Sequence, residues 1–112
     1  MINKKALNLE MLKIAGFTCA GGIWTYPDGV DVDNGVPFFP GSLDECITWI
    51  FPKLDELGEY YITLQKKWND SSVKDVAISY VSWTQDEYNG EASNYATAFC
   101  LAVQELMRRK QC

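Results

Sequence analysis

The chain contains no histidine, and this removes most of the catalytic repertoire available at neutral pH. A Ser-His-Asp or Cys-His arrangement cannot be assembled within it, and zinc patterns that need histidine are excluded. Cys19, Cys46, Cys100 and Cys112 are scattered, with no C-x2-C or C-x4-C pair to found a four-cysteine zinc site. Without an export signal their even count is weak ground for disulfides. No G-x-x-x-x-G-K-[ST] or G-x-G-x-x-G run is present to cradle phosphate. No apolar run approaches the ~20 residues of a membrane span, and the N-terminus lacks a basic region followed by a long apolar one. The expectation is a soluble, unexported, cytoplasmic protein with no membrane partner.

What is present describes a globular domain. With 112 residues, 47% hydrophobic and 22% charged, the chain suits one domain over residues 1–112 with one core. A net charge of -5 and a pI near 4.6 would repel a phosphate backbone. The basic residues fall in separate short runs, Lys4-Lys5, Lys66-Lys67 and Arg108-Arg109-Lys110, so direct nucleic-acid binding is not expected.

The strongest secondary-structure signal lies between Glu59 and Trp83. Tyr60-Ile62-Leu64 and Val76-Ile78-Tyr80 alternate with polar residues and are joined by Asn69-Asp70-Ser71-Ser72, the pattern of a β-hairpin. Leu7, Met11, Ile14 and Ala15 predict a first helix ending at Gly16. Ser42, with Glu45 three residues on, marks the capped start of a second, with Leu43, Cys46, Ile47, Ile50, Phe51 and Leu54 as its apolar stripe. Pro52 predicts a break near Phe51, because its ring removes a donor and crowds the preceding turn. A last helix, capped by Ser93 or Asn94, carries Ala96, Phe99, Cys100, Val103, Leu106 and Met107. Ile23-Trp24-Thr25-Tyr26, closed by a Pro27-Asp28-Gly29 turn, is a candidate third strand. Asn34-Gly35 is a second turn signal, and Thr84 to Asn94, with Asn89-Gly90 at its middle, reads as a polar surface loop. The expected fold is α+β: a small antiparallel sheet of two to three strands built on the central hairpin and packed by three helices, α-β-α sandwich-like.

The acidic loop Asp28, Asp31, Asp33 fails the EF-hand spacing, since Val30, Val32 and Asn34 would fill the first, third and fifth positions if Gly35 held the sixth. Asp44 and Glu45, the best carboxylates for an enzyme, are already accounted for by the favourable field at a helix N-terminus. No catalytic residue, metal ligand or cofactor is assigned.

The aromatic content, four Trp, six Tyr and five Phe, exceeds what one core needs. Trp83 and Tyr61 alternate away from the helix-facing side of the hairpin, and Trp49 lies off the second helix's stripe. With Trp24 and Tyr26 they form the candidate interaction surface. Two arrangements are open. Either the first helix or the segment Trp24–Phe39 covers the second face of the sheet, or that face meets a partner or a second copy of the chain.

Trp24-Thr25-Tyr26-Pro27-Asp28-Gly29, then Val36-Pro37-Phe38-Phe39-Pro40-Gly41-Ser42 leading into a helix, then two strands and an Ala-rich helix from Ala96 to Met107, resemble the phage ABA sandwich domain family. The resemblance implies a small α+β domain from phage or prophage and brings no catalytic residues with it. The expected function is therefore that of a non-enzymatic phage-type accessory protein acting through an unidentified protein partner. Two alternatives stand beside it: an acidic inhibitor of a host nucleic-acid-binding or defence system, and a binder of small ligands or nucleotides through aromatic side chains.

Overall fold

The structure, a computed structural model, describes residues 3–32, 35–66, 73–80 and 87–110. Helix α1 (Lys4–Ala15) starts where the Asn3 side chain accepts the Ala6 N–H at 3.1 Å. It ends at Gly16, whose φ of +99° lets the Gly16 and Phe17 amides turn back to the carbonyls of Lys13 and Leu12. Its buried face is Leu7, Met11, Leu12 and Ala15.

Strands β1 (Thr18–Ala20) and β2 (Ile23–Thr25) form an antiparallel pair across Gly21-Gly22. This corrects the expectation that Ile23–Tyr26 joins the hairpin's sheet: it belongs to a separate two-stranded one. The turn after it forms as its residues dictate. The Gly29 N–H donates to the Tyr26 carbonyl at 2.9 Å, Asp28 Oδ1 accepts the Val30 N–H, and Thr25 bridges Asp31. The expected turns at Asn34 and at Asn69 to Ser72 lie outside the described residues, as does Asp33.

Helix α2 (Leu43–Trp49) is capped by Ser42, whose Oγ accepts the Glu45 N–H at 3.3 Å. The break predicted from Pro52 occurs at Ile50. Helix α3 (Phe51–Asp55) restarts with the proline in its first turn, where the missing N–H has no intrahelical acceptor to lose. The break narrows the buried line to Cys46, Ile50 and Leu54, and leaves Ile47 half exposed.

Strands β3 (Tyr60–Lys66) and β4 (Lys74–Tyr80) pair antiparallel, as the predicted hairpin requires, in a register that sets Ile62 opposite Ile78 and Leu64 opposite Val76. The third strand is β5 (Glu87–Ala92), on the other side of β4. It replaces the expected surface loop, and Gly90 explains why. A Cβ at Gly90 would meet the backbone carbonyl of Ala98 and come within 2.7 Å of Ala102 N and 2.8 Å of Leu101 Cβ. The glycine lets the helix approach the strand closely, and Asn89-Gly90 is not a turn. Along β5, Tyr88 and Gly90 are buried while Glu87, Asn89 and Glu91 are exposed.

Helix α4 (Tyr95–Lys110) is capped by Asn94, whose Oδ1 accepts the Thr97 N–H at 2.7 Å. It lies over β5 and β4 rather than β3, so Leu64 on that edge strand is 48% exposed although its cross-strand partner Val76 is fully buried. Among the described residues four helices and the three-stranded sheet thus share one core, with α4 against the sheet and Val76, Ile78, Tyr88, Phe99, Val103 and Leu106 buried between them. The opposite sheet face carries Tyr61, Thr63, Gln65, Glu87, Asn89 and Glu91, all exposed, on either side of the half-buried Asp75, Ala77 and Ser79 of β4. Among the described residues no element lies over it. Of the two arrangements left open for this face, cover by the first helix is not the one formed: α1 packs on the helical side, where it meets α4 and the segment around Phe39. No helix among the described residues is long and apolar enough to cross a membrane.

Candidate functional site: an aromatic cleft on a clamped strap

The segment Val36–Gly41 has no regular structure up to Phe38 and closes in a 3₁₀ turn over Phe39–Gly41. Pro37 and Pro40 have no N–H to give a sheet ladder, and the strap lies outside both sheets, so its buried polar groups need other partners. They find them. Asn8 of α1, itself only 7% exposed, donates from Nδ2 to the Pro37 carbonyl at 3.0 Å and accepts the Phe39 N–H on Oδ1 at 2.7 Å. Thr97 of α4, fully buried, donates to the Pro40 carbonyl at 2.7 Å. The Cys46 thiol of α2 donates to the Phe39 carbonyl at 3.4 Å. Three helices therefore hold one strap through its backbone, and its own Phe39 and Pro40 are buried.

The clamp fixes one wall of a cleft of about 690 Å³ lined by Tyr26, Val36, Phe38, Ser42, Glu45 and Trp49, with Gly35, Pro37, Gly41 and Thr48 completing it. Phe38 is 45% exposed, and a Cβ at Gly41 would stand 3.0 Å from its ring, so the glycine makes room for the ring. Facing it, Tyr26 and Trp49 are stacked at a centroid distance of 5.6 Å and 17° between planes. Phe17 backs both, 5.6 Å from Tyr26 and 5.0 Å from Trp49. The Trp49 indole N–H donates to Glu45 Oε2 at 3.1 Å. Glu45 was expected to complete a reciprocal capping box, but only the Ser42 half of that motif forms. The carboxylate orients the indole, and Glu45 is the charged residue among the described lining of the cleft.

The structure thus brings together Tyr26 and Trp49 of the expected surface residues. Trp24 is half-buried against the core and does not line the cleft. Tyr61 is 67% exposed on the open sheet face and does not line the cleft. Trp83 lies outside the described residues, and with it Val81. Phe38 and Glu45 complete the site without having been singled out for it.

Elsewhere, the buried thiols of Cys46 and Cys100 lie 3.9 Å apart. The hydrogen bond between them and burial push the Cys100 thiol far above its ordinary range, which keeps it neutral and non-nucleophilic. Among the described residues no three His, Cys, Asp or Glu side chains are grouped to hold a metal ion. No family model, curated protein or solved structure matches this chain.

Proposed function

We propose that the chain is a small non-enzymatic accessory protein that acts by protein–protein interaction, and that the clamped aromatic cleft is the surface it uses. The observation that carries this reading is the stacked Tyr26–Trp49 pair facing a half-exposed Phe38 on a strap held by Asn8, Cys46 and Thr97. Rigid aromatic side chains around a preformed hollow lose little conformational freedom on binding, the usual character of residues that dominate interface energetics. The resemblance to phage ABA sandwich domains supports a phage-type role.

Partner recovery on the tagged chain, compared among wild type, Phe38→Ser and Tyr61→Ser, tests the assignment. Both changed side chains are substantially exposed, so unaltered circular dichroism is expected for each. Loss of recovery with Phe38→Ser alone supports the cleft. Loss with Tyr61→Ser alone moves the site to the open sheet face.

A second reading, capture of a small aromatic ligand or nucleotide, is favoured by the cleft's size, which falls within the range of small-molecule pockets. It predicts a tryptophan fluorescence change with a member of a ligand panel, and the same response reduced by Phe38→Ser.

A further inference from the structure

We infer that the cleft is built to receive a cationic side chain, arginine in preference to lysine, presented by a basic segment of the protein partner; this rests on the cleft being the interaction surface. Three observations converge. Tyr26, Phe38 and Trp49 give the hollow an aromatic lining, and aromatic rings attract cations through their quadrupole. Glu45 adds a carboxylate whose Oε2 is engaged by the Trp49 indole, while Oε1 has no donor among the described residues. No lysine or arginine is among the described residues lining the cleft. Lys13 and Lys53 line a different hollow with Ile14, Glu56, Leu57 and Met107, and Lys53 pairs there with Glu56 at 3.9 Å.

The surroundings have the same sign. Asp28 and Asp31 follow Tyr26 in the adjoining loop, and Asp44 precedes Glu45 in the first turn of α2. A chain of net charge -5 steers basic partners toward itself. Arginine is preferred because its planar guanidinium can lie against an aromatic ring and still present a fork of donors to a carboxylate, which a lysine ammonium cannot do at once. An anionic partner would meet like charge at Glu45, and an apolar one would desolvate Glu45 Oε1 without supplying a donor.

The test is a titration of the full chain with acetyl-Gly-Arg-Gly-amide, read on the Trp49 indole N–H resonance. The citrulline peptide, equal in shape and neutral, is the control. The expected result is a saturable shift with the arginine peptide, weakened by salt, and no comparable shift with citrulline. Glu45→Gln keeps an acceptor for the indole and removes the charge; it should weaken arginine binding about fivefold. Equal responses to both peptides, or unchanged affinity in Glu45→Gln, overturn the inference. If Phe38→Ser abolishes partner recovery while the arginine peptide leaves Trp49 unmoved, the cation preference falls and the interaction surface stands. If the arginine peptide binds with full dependence on Glu45 while Phe38→Ser leaves partner recovery intact, the cation site stands and its use in partner binding falls.

Discussion

The three-stranded sheet and the strap Val36–Gly41 are both held against the helices, but by different forces. In the sheet, β4 is bonded on both sides by backbone ladders, and its side chains add burial where they face α4. In the strap, Asn8, Thr97 and Cys46 do what a neighbouring strand would otherwise do, each reaching a backbone group from a helix remote in sequence. The difference bears on robustness. A ladder tolerates most changes on its solvent face, because the bonds belong to the backbone, whereas a side-chain clamp is lost with a single substitution. It also bears on function, since the cleft stands on the strap and the open sheet face is mostly polar.

The sheet has one point at which that tolerance should fail. Gly90→Ala places a methyl group against the backbone of α4 at Ala98 and Ala102, where no side chain can move aside. A destabilisation of about 4 kcal/mol is expected, enough to unfold a marginal domain, and urea titration measures it. Next in size, Asn8→Ala strips the Pro37 carbonyl and the Phe39 amide of their shared partner and should cost about 2–3 kcal/mol in the same titration. At the other extreme, Tyr61→Ser on the open face should change the unfolding free energy by no more than about 0.5 kcal/mol. A cost for Tyr61→Ser equal to that for Asn8→Ala would erase the distinction between the two regions.

The sequence was informative about much of the local structure, although the β1–β2 hairpin was missed. The two hairpin strands followed from strict alternation, the α2 start from Ser42, its break from Pro52 and the α1 end from Gly16, because each needs only neighbouring residues. Strand β5 was hidden because Asn89-Gly90 carries the usual sign of a turn, while the true demand on Gly90 comes from a helix packed across it. The alternation of Tyr88 and Gly90 with Glu87, Asn89 and Glu91 was the competing signal. Of the candidate site, Tyr26 and Trp49 were legible as aromatics beyond the needs of the core. Their stacking was not, nor was the clamp, since Asn8 lies 29 and 31 residues from the groups it bonds and Thr97 lies 57 residues from Pro40. An asparagine within an amphipathic helix reads as a surface residue until its partners are known.

The claim on which the rest depends is that the strap is held as firmly as the sheet, so that the cleft exists before anything binds. Amide hydrogen exchange at Phe39 measures this most directly, because that N–H is bonded to the Asn8 side chain rather than to a backbone ladder. Protection of Phe39 comparable to Val76 and Ile78 in β4, and lost in Asn8→Ala while β4 stays protected, is the predicted result. Exchange of the Phe39 amide in the wild type as fast as that of the exposed Gly35 would contradict it.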